Sequence, residues 1–506
     1  MPLPIKSPKP SSAQAPLRRL EAAGRIGTRS KAGRRMLLQF AAFALLLAAV
    51  VCFATVLVDP LQFYRKSAIF PPVFSTEQRY QNPGLAKNYD YDTIVIGTSM
   101  TENFLPSVVD RTLGGKTMKL SMRGSTADEH YAIAKIALDT GRVKKVLWGL
   151  DYFSLKENDS EEAADFPDYL YDDNVWNDYR YWFNYSVYEM WFEGIARQAL
   201  LGQNRDLELL NNWNDESLFG AERVVNSYRA AKQEEAYFGL NEEPADVLKA
   251  RFDRYIYELA KSYPETEFYF FYPPYSVLRQ EVWKETNEVR YRNQLELSVW
   301  MFERLDELPN AKVYNFQTET DWTYDLDLYK DLSHYKQDVN TAIAEAIGRD
   351  DPAYRMTRGN AASFAETLER QLATLVLTPD DRVLNMETAF AGGTAADVPR
   401  WSVLSAPGDD ELSVPAKEAA QAIGASVLWD PETKTISLTL GSRIAKLQIG
   451  RAEAEIDGQS VPLAYAPSVV GGTALLPLRS VCEALGLPVA TERPDEHTVR
   501  FTIDLG

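Results

Sequence analysis

The chain has 506 residues, of which 45% are hydrophobic and 25% charged, with two cysteines and three histidines. These ordinary globular proportions argue against a collagen, a wholly disordered chain and a multi-span membrane protein. Two cysteines exclude a disulfide scaffold and a four-cysteine zinc site, and three histidines limit imidazole chemistry to one or two sites.

The net charge of −18 is unevenly distributed along the chain. Residues 1–35 carry +8, and the remainder carries −26. The basic tail is rich in Pro, Ser and Ala, a composition that predicts disorder. Nucleic-acid binding is one interpretation of such a tail, but the apolar segment that follows favours a role in membrane orientation. We therefore expect no nucleic-acid partner.

Residues 36–58 form an apolar run without a charged side chain, long enough to span a bilayer as a helix. The basic residues precede the run, so the positive-inside rule places the tail in the cytoplasm and everything after Asp59 outside. A cleaved signal peptide is the alternative, but the run is long and no Ala-x-Ala site closes it. The sequence predicts a single-pass protein of the cell membrane with an extracellular bulk.

Short β-like runs alternate with helical stretches between residues 59 and 380. Apolar runs separated by helical stretches are typical of an α/β domain with a parallel sheet and right-handed crossovers. The predicted strands are 93–96, 118–120, 146–148, 268–272 and 313–316.

A long insertion, at about residues 156–240, separates the third predicted strand from the fourth. Its segment 167–192 is dense in aromatic and acidic residues. A carbohydrate-binding wall is one interpretation, and a helical cap packed on the sheet is the other. We favour the helical cap.

The sequence changes character near residue 380. Gly- and Pro-punctuated residues 381–405 predict a linker, and 406–506 contain an internal repeat. Val414-Pro415 and Leu476-Pro477 are equivalent positions of its two copies, offset by 62 residues. Each copy ends in a β-rich run, so we expect a small α+β repeat domain.

Residues 412–503 resemble the copper amine oxidase N-terminal-like domain, a small module of extracellular bacterial proteins. Copper prefers imidazole and sulfur ligands, and this segment holds only His497 and Cys482, far apart in sequence. We predict no metal here and expect the module to bind a partner or a cell-wall polymer.

Two polar motifs flank the predicted α/β domain. The first strand ends in Gly97-Thr98-Ser99, and a serine just after a parallel strand lies at the sheet edge where α/β folds bind ligands. Asp331 and His334 stand three residues apart on one predicted loop. A carboxylate at that spacing can orient one ring nitrogen while the other faces a nucleophile. A helix-capping serine and a structural histidine are the plain alternatives.

These motifs resemble the two ends of the SGNH (GDSL-like) hydrolase superfamily, Gly-Asp-Ser and Asp-x-x-His. The membrane-anchored branch is the nearest, which includes the D-alanyl transfer and polysaccharide O-acetylation proteins. The resemblance implies that Ser99 is the nucleophile, His334 the general base and Asp331 its orienting carboxylate. It also implies that the backbone N–H groups of Ser99 and Gly124 form the oxyanion hole.

The chain departs from that family at two positions. Thr98 replaces the usual Asp, and Asp151 stands after the third strand where the family has Asn. An ionised carboxylate only accepts hydrogen bonds, so Asp151 makes a poor oxyanion donor. We expect it to position the Ser99 loop or to bind substrate.

Other titratable residues near these motifs have plainer interpretations. His130, early on a predicted helix, is expected to be an ordinary interfacial residue. Asp321, Asp325 and Asp327 lack the spacing of a calcium loop and predict a solvated acidic face. We expect neither a metal nor a cofactor in the catalytic chemistry.

The favoured function is that of an anchored extracytoplasmic serine esterase or O-acyltransferase acting on acyl esters of a cell-envelope glycan. By the same resemblance, a membrane-bound O-acyltransferase is a plausible partner, besides the polysaccharide and the bilayer. The alternative is a non-catalytic polysaccharide-binding or envelope-assembly protein built on the same scaffold.

Overall fold

The computed structural model describes residues 31–67, 72–157, 166–202, 206–238, 244–378, 380–391, 411–470 and 472–506. Most of the predicted basic tail, residues 1–30, lies outside the described residues. The chain divides into two compact units, Met1–Leu57 and Val58–Gly506.

The first unit contains most of one long helix, α1 (Lys31–Val58). Its segment Gly33–Val58 is long and apolar enough to cross a membrane, and among the described residues no other helix is. Leu37, Phe40 and Leu45 are each at least 70% exposed, so this apolar surface has no protein core around it. Helix α1 is therefore a candidate for a single membrane span.

A five-stranded parallel sheet forms the centre of the second unit. Its strand order is β2-β1-β3-β4-β5, and every pair of neighbours is parallel. The predicted α/β fold class is confirmed. The strands are β1 (Thr93–Ile96), β2 (Thr117–Lys119), β3 (Lys145–Gly149), β4 (Glu267–Tyr272) and β5 (Ala311–Asn315).

Helices surround this sheet, and those of the insertion precede β4. They are α2 (Gln78–Asn88), α3 (Pro106–Leu113), α4 (Ala127–Asp139), α5 (Tyr179–Trp182), α6 (Tyr185–Leu201), α7 (Ala221–Phe238), α8 (Ala245–Phe252), α9 (Glu258–Ser262), α10 (Val277–Thr286), α11 (Glu288–Leu305), α12 (Thr320–Thr323), α13 (Gln337–Gly348) and α14 (Ala361–Thr374). A π-helical turn, Asp253–Tyr257, joins α8 to α9.

The two faces of the sheet carry separate apolar cores. Ile94 and Ile96 belong to one core, whereas Val95 between them belongs to the other. Alternate side chains of a strand point to opposite faces, so both faces of β1 are covered. Helices α2, α4, α8 and α11 supply the first core, and α3, α7, α10, α13 and α14 the second. The domain thus has three layers.

The C-terminal part is rich in strands, and its two repeat copies pair directly. The strands that end in Pro415 and Pro477 are antiparallel neighbours, and each leads into a short helix. The elements are β6 (Leu375–Leu377), β7 (Val383–Ala391), β8 (Ser413–Pro415), α15 (Ala416–Ala422), β9 (Ser426–Asp430), β10 (Thr435–Leu440), β11 (Arg443–Gln448), β12 (Glu453–Ile456), β13 (Gln459–Pro462), β14 (Ser468–Val470), β15 (Thr473–Pro477), α16 (Leu478–Ala484), β16 (Val489–Asp495) and β17 (Thr498–Asp504).

Strand β7 lies within the segment 381–405 that the sequence predicts as a linker. It pairs in parallel with the last strand, β17, along seven residues and antiparallel with β6. Val376, Leu384 and Met386 of β6 and β7 are buried in the core of the C-terminal part. The described part of this segment is thus incorporated in a sheet, and residues 392–405 lie outside the described residues.

The residue that follows helix α1 organises the start of the second unit. The Asp59 carboxylate accepts the backbone N–H groups of Phe63, Tyr64 and Arg65, each at 2.9 Å. It also accepts the hydroxyl of Tyr181, at 2.9 Å. Asp59 is 4% exposed and has a φ of +47°, a conformation that Asp and Asn tolerate better than most residues.

We expect Asp59→Ala to release these four donors and to destabilise the 59–65 turn by about 3 kcal/mol, because buried donors lose a charged acceptor. Amide hydrogen exchange at residues 63–65 measures the effect. Asp59→Asn, which keeps one acceptor oxygen and the backbone preference, should show an intermediate exchange rate. Equal protection in the parent chain and Asp59→Ala would contradict this role.

Candidate active site

The carboxyl ends of the central strands bring the predicted site residues to one edge of the sheet. Ser99 follows β1, Gly124 follows β2, and Asp151 follows β3. Strands β2 and β3 flank β1 on opposite sides, so the connections leave in opposite directions there. Such a switch point opens a crevice at the carboxyl edge, where ligands bind in open α/β sheets.

Ser99, His334 and Asp331 form one chain of hydrogen bonds. The Oγ of Ser99 lies 2.8 Å from Nε2 of His334, and Nδ1 of His334 lies 2.9 Å from Oδ2 of Asp331. An ionised carboxylate only accepts, so Nδ1 carries the ring proton and Nε2 presents its lone pair to the Ser99 hydroxyl. This is the arrangement of a nucleophile, a general base and an orienting acid.

Asp331 is held ionised by its neighbours. Its carboxylate also accepts the backbone N–H groups of Ser333, at 2.8 Å, and His334, at 2.9 Å. Burial alone would raise the pKa of Asp331, but these hydrogen bonds and the His334 ring together lower it to about 2. The loop therefore fixes both the position and the charge of the orienting carboxylate.

The turn that carries Ser99 requires glycine at its first position. Gly97 has a φ of +152°, and an added Cβ would lie only 2.7 Å from Cγ2 of Thr101. Thr101 in turn donates its hydroxyl to the Thr98 carbonyl at 2.9 Å, closing the turn around the serine. Ser99 itself remains half-buried, with its Oγ on the His334 side.

Asp151 lies beneath this turn, and its carboxylate is already hydrogen-bonded there. Its carboxylate accepts the hydroxyl of Thr98, and the side chain is buried. Burial raises the pKa of Asp151 to about 6, although the Thr98 hydrogen bond and the nearby His334 ring pull it down. The contact assigns Asp151 and Thr98 a shared role in positioning the serine turn.

The Gly124 loop follows a segment that is hydrogen-bonded to the Ser99 turn. The N–H groups of Leu120 and Met122 donate to the carbonyls of Val95 and Gly97, each at 2.9 Å. Gly124 has a φ of +60°, which favours glycine. Within the described part of the chain, neither the Ser99 nor the Gly124 N–H donates to a protein acceptor.

His130 supports the Gly124 loop from below. Its Nε2 lies 2.7 Å from Oγ of Ser125, and that hydroxyl reaches the Met122 carbonyl. The ring is fully buried and packs edge-on against Trp148, with centroids 6.0 Å apart. Burial lowers the pKa of His130 to about 3, so the ring is neutral and acts as an internal support.

Trp213, from the insertion, contacts both Ser99 and His334, and the sequence does not single it out. Its Nε1 donates to the Ser99 carbonyl at 3.4 Å, and its ring meets the His334 ring edge-on at 5.6 Å. Asn103 accepts the Trp213 backbone N–H at 3.0 Å, and the Lys330 Nζ lies 3.7 Å from the indole centroid. No local motif marks this tryptophan among the insertion's many aromatic residues.

The three aspartates of the predicted acidic face have different surroundings. Asp325 accepts the backbone N–H of Asp327, two residues away, whereas Asp327 accepts that of Ala221 at the start of α7. Asp321 instead approaches Glu496 and His497 of the C-terminal part, and the potential ligand atoms of these three residues lie within 4.8 Å of one another.

Comparison with known proteins identifies a family for the C-terminal part of the chain. The copper amine oxidase N-terminal domain family matches residues 402–499, which confirms the module predicted there. No curated protein shows significant similarity to the chain. A solved structure from Streptococcus pneumonia, described as that of a platelet activating factor, aligns with 55% of this chain and 92% of its own, at 11% identity and a TM-score of 0.29. That alignment is too weak to bear on function.

The raised pKa of Asp151 gives a testable pH dependence of stability. The folded chain takes up this proton near pH 6, whereas an unfolded Asp titrates near 3.8, so the free energy of unfolding rises as the pH falls between these values. Asp151→Asn cannot titrate. From pH 6.5 to 4.5 the parent should gain about 2 kcal/mol relative to the variant.

Denaturant unfolding of both chains at the two pH values measures this difference. The His130 contribution has the opposite sign, because a neutral buried ring loses stability as the unfolded histidine takes up protons, but it is common to both chains and cancels. An identical pH dependence in the parent and the variant would contradict the assignment.

Proposed function

We propose that this chain is a membrane-anchored extracytoplasmic serine esterase or O-acyltransferase that acts on acyl esters of a cell-envelope glycan, built on an SGNH hydrolase-like scaffold. The observation that carries the proposal is the hydrogen-bonded series of Ser99, His334 and Asp331. Gly97-Thr98-Ser99 and the Asp-x-x-His spacing of the last two residues are the sequence features that agree with it.

In the first half-reaction the Ser99 Oγ attacks the acyl carbon of the ester. His334 Nε2 accepts the hydroxyl proton as the bond forms, and Asp331 stabilises the imidazolium through Nδ1. Negative charge develops on the carbonyl oxygen, which accepts hydrogen bonds from the backbone N–H groups of Ser99 and Gly124 in the proposed oxyanion hole. The C–O bond then breaks, and the leaving sugar hydroxyl takes the proton from His334.

In the second half-reaction a hydroxyl attacks the acyl-serine. His334 removes its proton, and the acyl carbon leaves Ser99 for the new oxygen, while the Ser99 oxygen recovers a proton from His334. Attack by water makes the chain an esterase. Attack by a sugar hydroxyl makes it a transferase, so the acceptor that reaches the crevice decides between the two activities.

The proposed oxyanion hole has only the two backbone donors, because the Asp151 side chain is hydrogen-bonded to Thr98. Its carboxylate accepts the Thr98 hydroxyl and offers no hydrogen to the developing oxyanion. Loss of one such donor costs about 100-fold in rate. We therefore expect turnover well below that of an esterase with a third, side-chain donor.

The proposal places the glycan substrate near a membrane. Helix α1 would anchor the chain, and the C-terminal module would hold a partner or an envelope polymer near the sheet domain. A membrane-bound O-acyltransferase would supply the acyl group. No metal or cofactor enters the proposed steps.

Ser99→Ala should lower turnover of nitrophenyl acetate by at least about 1,000-fold, because it removes the attacking oxygen. A fluorophosphonate probe should label the parent chain at Ser99 and fail to label the variant. The matched control is Ser107→Ala, which removes a surface hydroxyl that bonds only to Glu208 within the described chain and should leave turnover unchanged. Equal turnover in the parent and Ser99→Ala, or glycan binding without any labelling, would favour a non-catalytic binding protein.

Asp331→Asn tests the orienting role separately from the nucleophile. The amide of Asp331→Asn would donate to Nδ1 of His334 and so favour the ring tautomer with its proton on Nε2. Protonated Nε2 cannot accept the hydroxyl proton of Ser99. We expect a loss of about 10,000-fold in kcat with little change in KM. A change in KM alone would indicate that Asp331 binds substrate instead.

A further inference from the structure

The insertion presents a set of large apolar side chains to solvent around helices α5 and α6. We call this set the aromatic face. Trp176 is 87% exposed and Leu200 82%, and the others are each exposed by half or more. Its members are Val175, Trp176, Tyr179, Phe183, Tyr185, Phe192 and Leu200.

Helix α5 is bonded to the residues that directly follow the candidate span. The Tyr181 hydroxyl donates to Asp59 at 2.9 Å and accepts the Leu61 N–H at 3.1 Å. Tyr64 donates its hydroxyl to Asp178 at 2.8 Å, and its oxygen accepts the Trp182 indole N–H at 2.8 Å. The base of the aromatic face is therefore attached to the point where the chain leaves α1.

An apolar core reinforces this attachment. Leu61 and Phe63, just beyond the span, are buried together with Leu170, Tyr181 and Val187 of the insertion. Buried hydrogen bonds and apolar contacts thus join helix α5 to the first residues after Asp59. If α1 crosses a bilayer, Asp59 lies at its surface, and α5 lies within one side-chain length of Asp59.

We propose that the aromatic face lies in the interfacial layer of the bilayer that α1 spans. Trp and Tyr favour that layer, where the ring contacts acyl chains and the polar atom meets headgroups and water. Glu189 and Glu193 are exposed on α6 beside Phe192, so zwitterionic headgroups suit this surface better than anionic ones. The inference rests on the proposed membrane span but not on esterase activity.

The partner is a lipid surface because of where the face is attached. A glycan or a second protein would bind such side chains at any place on the surface. These side chains instead start next to Asp59, where the chain leaves α1. Docking would restrain the second unit at two places, the covalent connection at Asp59 and the aromatic face. The height of Ser99 above the membrane would then be set by the fold.

The test uses the full chain reconstituted in phosphatidylcholine vesicles, in a Cys52→Ala, Cys482→Ala background. Spin labels are placed at Trp176→Cys and Phe192→Cys. The matched control is Leu428→Cys, an apolar position 69% exposed on β9 of the C-terminal part. Collisions with oxygen, which partitions into lipid, and with a water-soluble nickel complex report the depth of each label.

We expect labels at 176 and 192 to show an oxygen-to-nickel collision ratio several-fold above that at 428. Ratios equal to that at 428 in chains that float with the vesicles would overturn docking and leave the span intact. Failure of the parent to float would reject the span and the docking together, whatever its esterase activity. Protection from nickel in native membranes but not in vesicles would identify a protein occupant and overturn the lipid assignment.

Discussion

The parallel alignment of the five central strands is the constraint on which the candidate site depends. Parallel strands end at the same edge, so Ser99, Gly124 and Asp151 follow β1, β2 and β3 there, and the loop of Asp331 and His334 beyond β5 reaches Ser99 at that edge. The two apolar cores, one on each face of the sheet, keep that edge rigid. The distance of 2.8 Å from Ser99 Oγ to His334 Nε2 therefore depends on the packing of the whole domain.

Short-range sequence patterns predict much of this arrangement. The features they do not predict depend on contacts between residues far apart in the sequence. The compact apolar runs predict each central strand to within about two residues, and two short motifs indicate Ser99, Asp331 and His334 as candidates. Residues 383–391 carry no local signal for β7, because its partner β17 lies more than 100 residues away. Trp213 has no local signal either, since only the fold of the insertion brings it to Ser99.

Two aspartates near Ser99 show why residue type alone does not fix a role. Asp331 accepts hydrogen bonds from His334 and two backbone N–H groups, and its pKa falls to about 2. Asp151 is more deeply buried and has one hydroxyl donor, and its pKa rises to about 6. The first is therefore a permanent negative charge that orients an imidazole, and the second is a hydrogen-bond acceptor that fixes a turn.

The insertion connects two regions that the sequence treats separately. Its helix α5 bonds to Asp59 at the exit from the candidate span, and its Trp213 donates to the carbonyl of Ser99 and packs on His334. A segment that makes both contacts relates the residues that follow α1 to the position of Ser99. The net charge of −26 on residues 36–506 gives this part of the chain no general attraction for anionic polymers. Under the proposed function, substrate is positioned at Ser99 by local contacts, and an insertion that bonds to both Asp59 and Ser99 is a candidate to provide them.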